Sequence, residues 1–369
     1  MAWLARRALL LLAIGGAQFA AFEGALRTWG HSEAAPSFQA LFVPDAQIGY
    51  RLRPNARTRF VTSEFDAHIA INAQGVRDDR DIGPRPSNER RIVVLGDSLV
   101  LSVQVDRQQT FCSLLEARLN RDGGRYTYRV INAGVQGYGP VEELLFFREI
   151  ARQFQPDLVI EAIFVGNDAE EAVASAPRLG RAGAATAAVM TSETLITRLR
   201  RIVRHSMVLQ VLRLRIVSLV DRLPTWTAPP EAPLQSYAAK PAPRIADGLR
   251  ISRDCIESIA NDAANTGART MVMLVPARFQ VDAADYDRLK AAVAQAGGEL
   301  VRDAATERFN AALADLPLPR LDVLPALRAA APAGDVFFQQ TVHLTPRGHE
   351  VVADAMERFI REKGLASGL

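Results

Sequence analysis

The stretch RIVVLGDS, residues 91–98, decides the fold. RIVVL is a short, fully apolar run that ends at once in Gly96-Asp97-Ser98. A strand that is apolar on both faces belongs inside a sheet covered on both sides. Similar runs follow at YRVIN (128–132), DLVIEAIF (157–164) and TMVMLVP (270–276), with a shorter one at RLDVL (320–324). Between them lie stretches of helical spacing. QTFCSLLEARLNR carries apolar residues at 111, 114, 115 and 119, and further helices are expected at 140–153, 250–265, 282–296, 303–314 and 346–362. Apolar strands alternating with amphipathic helices imply the α/β class: a three-layer αβα sandwich around a central, mostly parallel sheet.

Upstream of that pattern the period changes. IGYRLRPNARTRF (48–60) and HIAINAQGVR (68–77) alternate apolar and polar residues with turn signals between them, so residues 31–88 read as a small β-rich lead-in. Residues 89–369 are then the main domain, interrupted at 172–247 by an insertion that begins Ala/Gly-rich and ends Pro-rich. Its middle, 197–222, reads as a basic helix or helix pair with Arg198, Arg200, Arg201 and Arg204 on it. That helix suits a lid, a surface resting on anionic lipid, or a rim gathering an acidic polysaccharide.

Residues 1–30 read as a targeting segment. Arg6 and Arg7 precede ALLLLAIGGAQFAAF (8–22), and no charge occurs until Glu23. No clean small-x-small cleavage site follows, which favours an uncleaved signal anchor over a cleaved signal peptide. Trp3, Phe22 and Trp29 suit the two membrane interfaces, and Arg6 and Arg7 would stay cytoplasmic. The rest of the chain is then expected outside a bacterial inner membrane, facing the periplasm or the cell exterior.

Composition narrows the class further. Of 369 residues 49% are hydrophobic and 23% charged, which is enough apolar material for a large core and argues against disorder. The single long apolar stretch excludes a polytopic membrane protein. The net charge of +3 is concentrated: residues 176–250 hold twelve Arg or Lys against four Asp or Glu. A uniformly basic nucleic-acid binder fits that distribution poorly. Cys112 and Cys255 both fall in helical stretches and read as two lone buried thiols, with a single bridge left open for an exported domain.

Four short motifs carry polar chemistry. Ser98 follows the first strand, at a turn that can present its Oγ at the carboxyl edge of the sheet, where open α/β sheets bind ligands. Asn132-Ala-Gly-Val-Gln-Gly137-Tyr-Gly follows the second strand, and Gly166-Asn167-Asp168 follows the third. His343 precedes the last helix, opened by Thr345-Pro346. Taken singly, each motif also suits a cap, a turn or a surface loop. Together they set a Ser, a Gly amide, an Asn amide and a His along one edge: a nucleophile, an oxyanion hole and a base. HEVVAD (349–354) lacks the second His of a zinc helix, so neither a metal nor another cofactor is expected.

In this joint pattern the chain resembles the SGNH (GDSL) hydrolase superfamily, whose fold is flavodoxin-like. Ser98, Gly137, Asn167 and His343 match the Ser, Gly, Asn and His of its four blocks. The resemblance covers roughly 88–170 and 250–365, and the lead-in looks like that of membrane-anchored bacterial members. It implies an esterase in which Ser98 attacks and His343 accepts the proton. The N–H of Ser98, the N–H of Gly137 and the Asn167 amide hold the oxyanion, with Asp97 supporting. Two positions depart from the family. Gln340 and Thr341 stand where it places an Asp two or three residues before the His, and the nearest upstream acid is Asp335. That leaves a Ser-His dyad with Gln340 or a backbone carbonyl on Nδ1–H, or a slow or silent site. Ser102 stands where the first block often has Gly, a change read as structural. The implied substrate is an acylated carbohydrate or a lipid-like ester. An O-acyltransferase of polysaccharide modification using the same residues, and a catalytically silent glycan-binding fold, are the alternatives. The oligomeric state is not legible.

Overall fold

The computed structural model describes residues 38–181 and 234–365, with residues 18 and 24 besides. The expected anchor at 1–30, apart from those two positions, and the basic helix at 197–222 lie outside the described residues. Among the described residues no helix is long and apolar enough to cross a membrane.

The lead-in forms two antiparallel hairpins. β1 (Phe42–Asp45) pairs with β2 (Gly49–Leu52), and β3 (Arg57–Val61) with β4 (Asp66–Ala70). Five further strands make the central sheet: β5 (Glu89–Gly96), β6 (Thr127–Gly134), β7 (Leu158–Phe164), β8 (Arg269–Val275) and β9 (Arg320–Asp322). Their order is β6-β5-β7-β8-β9, and every pairing is parallel. All carboxyl ends therefore share one edge. The helices are α1 (Ser98–Leu101), α2 (Phe111–Asn120), α3 (Pro140–Glu149), α4 (Asp168–Ser175) and α5 (Pro243–Ala264). They continue with α6 (Arg278–Val281), α7 (Ala283–Gln295), α8 (Ala304–Ala312), α9 (Leu324–Ala330) and α10 (Pro346–Glu362).

The apolar runs explain the layering. A strand sends alternate residues to opposite faces. On β5, Ile92 and Val94 join one core with Phe111, Leu115, Val352 and Met356 of α2 and α10. Val93 and Leu95 join another with Val141, Leu144 and Ile259 of α3 and α5. Both faces are covered, so the strand has no polar side. The last helix begins at Pro346, where Thr345 caps it by accepting from the Gly348 N–H at 3.2 Å. The two thiols are free and buried, Cys112 in the first core and Cys255 in the second, on opposite faces of the sheet.

Some boundaries differ from the sequence reading. The helix expected at 250–265 begins earlier, at Pro243, and the 140–153 helix ends as an α-helix at Glu149 and continues as a 3-10 turn, Ala151–Phe154. Pro-rich composition hid the first boundary, although Tyr237 and Ile245 there are buried. Residues 172–181 and 234–247, read as the ends of the insertion, include the end of α4, two 3-10 turns and the start of α5. The lead-in has no separate core. Ile48, Leu52, Ile69, Ile71 and Val76 pack into the core on the α3/α5 side, and residues 38–181 and 234–365 belong to one compact unit.

Candidate active site

β5 ends at Gly96, and the chain turns directly into α1. Asp97 caps that helix, its Oδ1 accepting from the Leu99 N–H at 2.8 Å. Ser98 is its first residue, 8% exposed, with Oγ 3.5 Å from Asp97 Oδ2. α1 lies so close to β6 that a Cβ on Gly134 would sit 2.6 Å from Val100 Cβ. The helix ends at Ser102, whose φ of +55° is the left-handed region that favours glycine. The Ser102 hydroxyl offsets that strain by donating to Leu99 O at 2.6 Å and Val100 O at 3.0 Å. The departure from the family's Gly is thus accommodated locally. The carbonyls at this end are held from outside: Arg77 donates to Leu101, Ser102 and Val105 O, and Asn132 Nδ2 to Val100 O at 2.6 Å. Arg77 is fully buried, and burial lowers its pKa to about 10.

Gly137, expected to offer its N–H, sits in the loop after β6. Gly137 has φ +70°, which turns the loop back at the sheet edge. Val135 N–H donates to Gly96 O at 3.0 Å, so this loop and the Ser98 turn are joined directly. The first hairpin clamps the same loop. Tyr50 Oη donates to Gln136 O at 2.7 Å, and Tyr138 Oη donates back to Tyr50 O. Burial, with Glu142 and Glu171 nearby, pushes the Tyr50 hydroxyl up to about 12, so it remains a donor.

Asn167 caps α4 just past β7. Its Nδ2 donates to Glu171 Oε1 at 2.7 Å, while its Oδ1 is buried without a partner. That bond fixes the amide plane and uses one of its two N–H groups, leaving the second for a ligand. Burial raises the Glu171 pKa to about 8, Asp97 and Glu142 adding to the shift.

His343 lies in the turn between Phe338 and α10, closed by Phe338 N–H donating to His343 O at 2.9 Å. The loop reaches the same edge as the other three. Arg278, which follows β8, donates to Phe338 O at 3.2 Å and to Gln339 O. Both ring nitrogens of His343 are buried and have no hydrogen-bond partner, so no hydrogen bond joins the imidazole to Ser98. Desolvation lowers its pKa to about 4, which keeps the ring neutral and able to accept a proton near pH 7. The two residues expected to support the ring do not touch it. Gln340 Oε1 accepts from Ser63 Oγ at 3.2 Å, and Thr341 Oγ1 accepts from the His343 backbone N–H at 3.4 Å. His349 is also buried, its Nδ1 accepting from the Phe111 N–H at 3.2 Å.

Beneath the edge lies an acidic core that sequence reasoning passed over. Glu161 on β7 and Glu143 on α3 are both buried, and none of their four carboxyl oxygens has a donor. Desolvation raises Glu161 to about 7, and burial beside Glu161 holds Glu143 well above the carboxylate range. Such a pair keeps a proton between its carboxyls. Asp97 is likewise raised by burial, to about 6. Among the described residues no group of three or more His, Cys, Asp or Glu is arranged to hold a metal ion. The signal for Glu161 was present in DLVIEAIF, a lone charge in an apolar strand. Tyr50, Glu171 and Arg77 carried no comparable signal.

The parallel sheet thus brings a Ser, a Gly loop and an Asn to adjacent strand ends, with a His loop held at the same edge. Residues 235–368, roughly a third of the chain, match the family model described as "SGNH hydrolase-like domain, acetyltransferase AlgX". Over that stretch the chain is similar to an SGNH hydrolase-like domain, the family the four motifs resemble. The matched stretch contains His343 but not Ser98, Gly137 or Asn167. Similar solved structures include a lipase/acylhydrolase from Enterococcus faecalis, at 13% identity and TM-score 0.41, covering 74% of this chain and 96% of that one. An acetyl xylan esterase, AlAXEase, aligns at 14% identity and TM-score 0.40, covering 72% and 97%. A two-domain esterase active on acetylated mannans aligns at 12% identity and TM-score 0.42, covering 75% and 50%. No curated protein matches the chain in sequence.

Proposed function

We propose that the chain is a membrane-tethered, extracytoplasmic serine esterase that cleaves an O-acyl group from a carbohydrate or a lipid-like ester. The observation that carries this reading is the convergence of Ser98, the Gly137 loop and Asn167 at adjacent strand ends, with the Ser98 and Gly137 loops joined through Val135 N–H. Ser98 Oγ attacks the ester carbonyl. The new C–O bond forms as the carbonyl electron pair moves onto oxygen, and the hydroxyl proton passes to His343. The oxyanion lies against the N–H of Ser98, the N–H of Gly137 and the free N–H of the Asn167 amide. Loss of one such donor typically costs about 10²–10³ in rate. Collapse breaks the bond to the alcohol, which leaves with the proton from His343. Water then attacks the acyl-serine in a second round and releases the acid.

The matched family model favours a second reading, in which a sugar hydroxyl replaces water and receives the acyl group. The same residues serve both. Membrane tethering rests on residues 1–22, where a basic pair precedes a charge-free apolar run, and no nucleic-acid partner is proposed.

The test is nitrophenol release from p-nitrophenyl acetate by the full chain beside Ser98→Ala. Turnover that vanishes in the variant is the expected result. Turnover that persists refutes the assignment of Ser98. Adding an oligosaccharide acceptor separates the two readings: acetylated sugar marks transfer, and free acetate alone marks hydrolysis.

A further inference from the structure

The His343 turn lacks the acid that the family places on it, and no side chain within the turn holds the ring. Its backbone, however, is gripped from two sides by opposite charges. Arg278 donates to the carbonyls of Phe338 and Gln339. From the other side, Glu64 accepts the N–H of Gln339 at 2.7 Å and the N–H of Gln340 at 2.9 Å, one on each carboxylate oxygen. Glu64 sits at the tip of the β3–β4 hairpin, 275 residues away in sequence. The contact is supported on both flanks. Ser63 Oγ donates to Gln340 Oε1 at 3.2 Å, and Phe65 packs on Phe338 with ring centroids 5.4 Å apart. Phe65, Phe338 and Val105 form a small core of their own, and Val105 follows the Ser98 helix.

We propose that Glu64 is the positioning residue for His343, supplied by the lead-in in place of the missing acid of the turn. The inference rests on the reading of Ser98 and His343 as nucleophile and base. The carboxylate binds the amides of positions 339 and 340, the second of which is one of the two positions where the family's Asp would stand. It acts on the backbone and not on the imidazole. Two charge-assisted N–H bonds to one carboxylate fix the turn in a single conformation. The buried ring, with no partner on either nitrogen, then takes its place from the backbone alone. The second hairpin thus completes the site.

The test uses the full chain and a fluorophosphonate, whose reaction with an activated serine needs the base but no acceptor. The readouts are the limiting labelling rate of Ser98 and the probe concentration at half-saturation. Glu64→Ala is expected to lower the limiting rate roughly ten- to hundredfold, the scale of a misplaced catalytic group. Half-saturation should stay constant. Glu64→Gln keeps one acceptor oxygen and should recover part of the loss. Asp66→Asn alters the Arg59 pair on the same hairpin's exposed face and should label like the parent. A melting temperature for Glu64→Ala close to that of the parent separates positioning from loss of the fold. Labelling of Glu64→Ala at the parent rate, or a change confined to half-saturation, overturns the proposal alone. A parent chain that does not label at Ser98 overturns the reading of the site, and the proposal with it.

Discussion

Replacing Glu161 by Gln should stabilise the protein at alkaline pH and leave it unchanged in acid. Glu161 is 0% exposed in the central strand β7, facing Glu143, and no donor reaches any of the four oxygens. Burial raises its pKa from 4.5 to about 7. Between those values the folded state holds a proton that the unfolded state has released. Stability contributed by the neutral form is therefore complete below 4.5, falls as pH rises, and is lost above about 7. At about 1.4 kcal/mol per pKa unit, the shift corresponds to a cost of about 3 kcal/mol at pH 8. An amide of the same shape does not titrate, and it offers an N–H to Glu143. Glu161→Gln should therefore gain about 2–3 kcal/mol in urea unfolding at pH 8 and nearly nothing at pH 4. Equal effects at both pH values, or a loss at pH 8, would refute the buried, proton-sharing pair.

Other consequences follow from single contacts. Gly137→Ala places a Cβ 3.0 Å from Tyr50 Oη at a φ of +70°. It should cost about 1–2 kcal/mol in denaturant titration and about 10²–10³ in esterase rate, because the N–H is redirected. Arg77→Met removes the donor shared by Leu101, Ser102 and Val105 O, and circular dichroism melts should report a loss of about 2–4 kcal/mol from carbonyls left without it. For His343, a pKa lowered from 6.5 to about 4 means that the unfolded state binds the extra proton first. Its contribution is intact above 6.5 and is lost as pH falls toward 4, so activity per folded molecule should hold from neutrality down to about pH 5 and collapse near 4. A half-maximum near 6.5 in the pH–rate profile would contradict the desolvated ring.

Much of the site was legible because its placement is topological. Once RIVVL, YRVIN and DLVIEAIF are parallel strands, the residues that follow them must share an edge. That rule places Ser98, Gly137 and Asn167 at one edge, and His343 is placed by its position before the last helix; the roles given to them come from the family resemblance. Ser102 stands where the resembled family has Gly, and its hydroxyl satisfies two carbonyls at a left-handed residue, a contact the sequence does not display. The clamps were not legible. Tyr50 reaches Gln136 across 86 residues and Glu64 reaches Gln339 across 275, and neither contact leaves a local period or spacing in the chain. The hydroxyls and carboxylates of an alternating β segment look like ordinary solvent-facing residues until the surface they meet is known. Gln340 and Thr341 were named because they occupy the positions of the family's Asp, yet a turn directs side chains away from one another as readily as together.

The proposed chemistry depends most directly on Ser98 being an activated nucleophile served by His343. Peptide mapping of the full chain after fluorophosphonate treatment tests this in one step. The account predicts a single phosphonyl adduct on Ser98, absent in Ser98→Ala and formed about 10²–10⁴ times more slowly in His343→Ala. An unlabelled Ser98, or labelling whose rate is indifferent to His343, would contradict it.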